Sequence, residues 1–264
     1  MKKFISRGYL LLILAFIYAP IFLLLIYSFT DSTIIGKWDG FSLKLYKKLF
    51  TEDKLRTMII NTLMLAFLSA SISTVLGTIG AIGIHYNKKP FGKGVSGASQ
   101  IPVINAEIVT AISLALMFAM FNLGRSYFSL LVGHVVLCTP FVVLSVIPKL
   151  KQMDGSLYEA ALDLGATPTQ ALFKVVLPEI LPGIFSGFML AVTLSLDDYM
   201  ITAYTKPTTF NTISTYVYSA VKNQSKSQLP ALRALSSILF LVMVIVVVIM
   251  NVKASKKQKE KNRI

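Results

Sequence analysis

"MDGSLYEAALDLGATPTQALFKVVLPEILPGI", residues 153–184, is the most polar long stretch lying between two very hydrophobic ones. Its own punctuation resolves it into two short helices. Ser156 followed by Glu159 has the form of a capping box, with the hydroxyl taking the amide of residue 159 and the carboxylate reaching back to the amide of residue 156. Leu157, Ala160, Ala161 and Leu164 then fall at i, i+3, i+4 and i+7, which makes one apolar face. Gly165 supplies the left-handed residue that ends this helix. Thr167 caps a second helix, with Pro168 at its first position and Gln170 at the third. That helix is expected to run to about Leu177 and stop at Pro178, with Pro182 marking the start of the next apolar run. Helices this short are marginal alone because nucleation is costly, so the small apolar face implies a partner surface that completes it.

The flanking runs belong to a set of six: Tyr9 to Phe29, Met58 to Ile84, Ile101 to Phe121, Phe128 to Ile147, Gly183 to Tyr204 and Leu235 to Val252. Each is close to the roughly 20 residues a helix needs to cross a bilayer. Continuous rather than alternating hydrophobicity selects helices over a β-barrel. The expected fold class is therefore all-α, a polytopic membrane protein with six transmembrane helices and a loop of two short helices, about residues 153–182, between spans 4 and 5. Residues 1–264 read as a single transmembrane domain. With 55% hydrophobic and 14% charged residues and a mean hydropathy of +0.69, the chain lies outside the soluble globular class. The basic start "MKKFISRGYLLLILAFIYAPIFLLLIYSF" resembles a signal peptide, but its apolar run is too long and no small-x-small site follows, so it reads as an uncleaved first span.

The net charge of +14 does not point to nucleic acid, because the Lys and Arg residues sit at the ends of apolar runs and in loops. Fifteen of the 26 lie in the N-terminal tail, the second and fourth loops and the C-terminal tail. That bias places both termini, and the 153–182 loop, in the cytoplasm. The first external loop carries six basic residues of its own, partly offset by Asp31, Asp39, Glu52 and Asp53. The basic tail "KASKKQKEKNRI" is expected against anionic headgroups. Cys138 is a lone thiol inside an apolar run and excludes an intramolecular disulfide. Gly77, Gly80, Gly83, Gly183 and Gly187 are spaced for close helix approach, chiefly within the chain.

"EAALDLGA" followed by "VVLPEILPGI" resembles the EAA loop of binding-protein-dependent ABC importer permeases, with Glu159, Ala160, Ala161, Gly165, Leu177 and Pro178 in the positions of that motif. The resemblance implies that the loop is a coupling helix docking in a cleft of a cytoplasmic ATPase. It also implies that the chain holds no cofactor, ATP and Mg being bound by the partner. The chain contains no G-x-x-x-x-G-K-[ST], H-E-x-x-H or G-x-S-x-G sequence and no Cys/His cluster, so it is not read as an enzyme. His85 and His134 stand alone and read as packing or interface residues.

Ionisable residues inside spans are expensive and point to a pathway. Three stand out, all acids: Glu107, and the pair Asp197 and Asp198. On continuous helices Glu107 lies roughly 10 Å, and Asp197 roughly 20 Å, from the cytoplasmic side, and the paired acids point about 100° apart, so at most one faces a pore directly. An acid-lined route favours cations. Tyr199, Tyr204, Tyr216 and Tyr218 could give cation–π contacts, although Tyr near span ends also forms the ordinary aromatic belt.

"TLSLDDYMITAYTKPTTFNTISTYVYSAVK", with "AEIVTAISL" and "HVVLCTPFVVLSVIPKLKQMD", resembles spermidine/putrescine importer permeases. That implies a polyamine cargo, a homologous PotB-like permease, two copies of an ATPase subunit, an external polyamine-binding protein and a location in the bacterial inner membrane. Related permeases carry iron, thiamine or phosphonates, and an ATP-independent secondary transporter or channel is also compatible with six spans and three acids. The capped cytoplasmic loop favours the ATP-driven importer.

Overall fold

The computed structural model describes residues 2–32, 36–87, 100–223 and 232–238, with positions 94, 97, 240, 241, 244, 245 and 248. Among the described residues every regular element is helical. In order they are α1 (Lys2–Tyr27), α2 (Lys44–Thr51), α3 (Asp53–Tyr86), α4 (Glu107–Met120), α5 (Tyr127–Gln152), α6 (Ser156–Asp163), α7 (Pro168–Ala171), a π-helical segment (Leu172–Val176), α8 (Leu177–Asp197), α9 (Met200–Thr205) and α10 (Ile213–Lys222). Four stretches are long and apolar enough to cross a membrane: Gly8–Tyr27, Asp53–Tyr86, Tyr127–Gln152 and Pro168–Asp197. The chain is a multi-pass membrane protein. The sixth expected span, Leu235 to Val252, is helical at its described positions and otherwise lies outside the described residues.

Two expected spans are interrupted. In the third, residues 101–104 are helical, Asn105 and Ala106 leave the helix, and α4 restarts at Glu107. The restart puts an acid in the first turn of α4, where unpaired amides and the helix dipole favour negative charge. In the fifth, α8 ends at Asp197, and Asp198 adopts an extended conformation (φ −59°, ψ 125°) before α9 begins. Asp198 Oδ1 and Oδ2 accept the amides of Ile201 (3.1 Å) and Thr202 (2.8 Å), which a continuous helix would have bonded to backbone carbonyls.

Pro178 does not stop the second loop helix, contrary to expectation. The chain runs from α7 through the π-helical segment into α8 without a break. Leu177 N–H bonds to Leu172 O, five residues back. The widened turn relieves the clash that a proline ring makes with the carbonyl four residues earlier, so the helix continues past Pro178.

The chain divides into two compact units, residues 58–216 and residues 1–57 with 217–264. In the second of these the apolar run of α1 is exposed, as on a lipid-facing helix. Phe29 stacks on Phe41 with centroids 5.5 Å apart, and Arg233 donates to Ser32 O. In the 58–216 unit, α5 and α8 share a core of Cys138, Val142, Val146 and Leu150 with Val176, Ile180 and Ala191, joined by Ala70 and Ala81 of α3. In lipid the association of helices depends on close packing. Gly183 of α8 meets that need, since a Cβ there would lie 2.7 Å from Lys149 Cγ and 3.1 Å from Ser145 O. Gly77 of α3 does likewise, at 2.7 Å from Val142 Cβ. Gly83 faces open space and takes no part in this packing. A second cluster packs α4 (Ala111, Leu114, Phe118) against Leu137 of α5 and Ile201 of α9.

Candidate coupling loop and transport pathway

The helix carrying the E-A-A sequence, α6, has no buried residue. Its cap differs from the one expected. Ser156 lies inside the helix, and Asp154 Oδ1 accepts the Ser156 amide at 3.0 Å, so Asp154 replaces the Ser156–Glu159 capping box. The rival acceptor for that amide is the Glu159 carboxylate, and Asp154, two residues upstream, reaches it through a shorter side chain with less rotamer freedom to lose. The bond from the Ser156 amide, with the Ser156 side chain, holds the Asp154 carboxyl below its usual pKa.

Glu159 is left exposed, and among the described residues it has no hydrogen-bond or ion-pair partner. Ala160 is exposed, Ala161 half-buried, and Leu164 is 88% exposed. The apolar face read from the sequence is therefore uncovered. The other side of α6 is anchored: Tyr158 and Met153 pack against the core formed by Leu150, Val176 and Ile180. Tyr158 also meets the Tyr86 ring at the end of α3.

Gly165 has φ +84° and closes α6 as expected. Its amide bonds to Leu162 O at 2.9 Å and the Ala166 amide to Ala161 O at 3.0 Å, the two bonds of a Schellman turn. At α7 the expected capping box is present, with the Gln170 amide on Thr167 Oγ1 at 3.3 Å and Gln170 Oε1 on the Thr167 amide at 3.0 Å. Leu177 is half-buried against the core and Pro178 is exposed, both at the base of α8.

The three acids lie at the breaks in the third and fifth spans, with Glu107 opening α4, Asp197 ending α8 and Asp198 in the break that follows. Glu107 lies within electrostatic range of both Asp198 and Asp197. Glu107 and Asp197 are exposed, and Tyr199 beside them is half-buried. Asp198 is buried, 4% exposed. Asp198 Oδ2 accepts the Thr202 hydroxyl at 2.7 Å and lies 3.4 Å from His134 Nε2. The Asp198 carbonyl accepts the Ser214 hydroxyl at 2.6 Å. Tyr204 is half-buried, Tyr216 buried and Tyr218 exposed.

The family described as "Binding-protein-dependent transport system inner membrane component" matches residues 99–257, which takes in both breaks and the E-A-A loop. The chain belongs to this family. As an inner-membrane component of a binding-protein-dependent transport system, it is 33% identical over 244 residues to the spermidine/putrescine permease PotC of Escherichia coli K12, covering 91% of each chain. It is 30% identical to the Haemophilus influenzae PotC, covering 92% of this chain and 94% of that one. The putrescine permease PotI of Escherichia coli K12 is 33% identical, with 86% and 83% covered. A chain of a bacterial ABC transporter that imports alginate shares the fold, with a TM-score of 0.71 at 19% identity over 96% of this chain and 98% of that one.

In this binding-protein-dependent transport component His134, expected as a packing or interface residue, is fully buried, and the sequence did not reveal its bonds to Ser195 and Thr202 or its approach to Asp198. A signal was present in the fifth span, where Ser195, Asp198 and Thr202 stand at i, i+3 and i+7 in an apolar run.

Proposed function

We propose that this chain is the permease subunit of an ATP-driven importer that moves polyamines into the cytoplasm by alternating access. The observation that carries the cargo is that Glu107 and Asp197, both exposed, lie at the interruptions of two spans within electrostatic range of each other. Interrupted helices supply free carbonyls at one end, and α8 ends its chain of peptide dipoles at Asp197. Negative dipole end and carboxylates together suit an alkylammonium group, with Tyr199 beside them. Such a site guides a cation without holding it tightly, as release demands. The likeness to PotC and PotI supports the same cargo.

Coupling falls to α6. Its unpartnered Glu159, exposed Ala160 and Leu164 and half-buried Ala161 fit a cleft on an ATPase subunit, which would bind ATP and Mg. A PotB-like permease would complete the pore and an external binding protein would deliver the amine, with residues 1–264 forming one permease domain and both termini cytoplasmic. The test is uptake of radiolabelled spermidine and putrescine by cells with and without this gene, alongside ATPase activity of the purified complex. Loss of saturable polyamine uptake on deletion supports the reading. Unchanged uptake with a co-purifying ATPase overturns the cargo and retains the importer.

A further inference from the structure

The paired acids do not do the same job. We propose that Asp198 and His134 form a buried clamp that sets the break in the fifth span, and that Asp197 alone of the pair meets the cargo. The inference rests on the transporter reading for its uptake arm and on geometry for the rest.

The bonds form an ordered chain through three spans. Ser69 on α3 donates to Ser195 Oγ on α8 at 3.0 Å. Ser195 Oγ lies 2.7 Å from His134 Nδ1 on α5. His134 Nε2 lies 2.9 Å from Thr202 Oγ1 on α9. Thr202 Oγ1 in turn donates to Asp198 Oδ2 at 2.7 Å. If each hydroxyl donates onward, the ring proton resides on Nε2, and Ser195, His134 and Thr202 each receive one bond and give the next, from Ser69 to the carboxylate that ends the chain. Ser69, His134 and Thr202 are fully buried and Ser195 nearly so.

Asp198 is closed to a substrate because its side chain is fully buried and both carboxylate oxygens are engaged. Oδ1 takes the Ile201 amide, and Oδ2 takes the Thr202 amide and hydroxyl and faces His134. A carboxylate engaged by its local amides starts a new helix, as an N-cap does. His134 acts through Thr202 and Asp198 and is a positioning residue. The clamp leaves Asp197 as the last residue of α8, exposed and within electrostatic range of Glu107. A fully satisfied buried network specifies one arrangement, and a partly satisfied one is costly.

Substitutions separate a cap from a cargo ligand. Serine is also a good N-cap but carries no charge. Asp198→Ser is expected to keep most uptake with KM unchanged, whereas Asp198→Ala lowers Vmax and Asp197→Asn raises KM about tenfold, the loss of one charge-assisted contact. His134→Gln can still donate at one end of the amide and accept at the other, so it retains more Vmax than His134→Leu. Melting of the purified complex is read independently of cargo. Asp198→Ala and His134→Leu should each lower the midpoint by several degrees and the double variant by less than the sum, while Asp197→Asn leaves it in place. A raised KM in Asp198→Ser with no effect of Asp197→Asn overturns the assignment, as do additive melting shifts. If no polyamine is transported at all, the melting cycle still decides the clamp.

Discussion

Tyr86, in the last turn of α3, and Tyr158, on α6, pack ring against ring with centroids 5.3 Å apart and planes at 47°. They join the base of one span to the element proposed to receive the ATPase's motion. Such a pair contributes about 0.5–1.5 kcal/mol beyond its area. Tyr158→Ala should uncouple ATP hydrolysis from uptake, whereas Tyr158→Phe keeps the ring and the coupling. A double-mutant cycle with Tyr86→Ala, read by thermal unfolding, should recover an interaction of that size; zero coupling energy would mean the rings merely coincide.

Glu159→Lys should lower ATP-driven uptake roughly tenfold or more, as expected for reversing one member of a charge-assisted pair. Because Glu159 has no partner within the described residues, the melting temperature and membrane level of the variant should match the parent. Normal uptake in Glu159→Lys would remove the coupling role.

Gly165→Ala forces a side chain into φ +84°, at a cost of about 1–3 kcal/mol. The strain tilts α6 against α7. Uptake should fall, and Gly165→Asn, which tolerates the left-handed region better, should retain more of it. Equal activity in both variants would show that the turn conformation is unimportant.

Gly77→Ala is expected to destabilise by about 1–3 kcal/mol, the usual cost of overpacking, because its Cβ would meet Val142 Cβ at 2.7 Å. Gly83→Ala, on the same helix with nothing within 4 Å, serves as its control. Thermal unfolding of the two purified variants distinguishes a packing glycine from a neutral one.

The Asp154 cap has a defined pH window. Its carboxyl is held below the ordinary value by the Ser156 amide and then by the Ser156 side chain. A group lowered on folding contributes fully above its unfolded pKa and is lost as pH falls through the folded value. Uptake between about pH 5 and 8 should therefore show no inflection from this group. Asp154→Asn should preserve the cap and Asp154→Ala should not, as read by uptake at neutral pH.

Much of this was legible in the residues because it depends on near neighbours along the chain. Run length and continuous hydrophobicity specify membrane helices, and the offsets of Thr167, Pro168 and Gln170 specify a capped start. Gly165 occurs where a left-handed residue is needed. Even at short range one competition was not legible, between the Asp154 and Glu159 carboxylates for the Ser156 amide.

The breaks at residues 105–106 and 198–199 and the surroundings of His134 were not legible. Ser69 and Ser195 are 126 residues apart, and His134 and Thr202 are 68 apart. Composition says that a span contains an acid; it cannot say whether neighbouring helices bring enough donors to bury it. The break gives Asp198 the Ile201 and Thr202 amides and the Thr202 hydroxyl of α9, and packing of α5 brings His134 against it, while Asp197 stays exposed. Two adjacent, identical side chains thereby acquire different environments, which local periodicity alone could not distinguish.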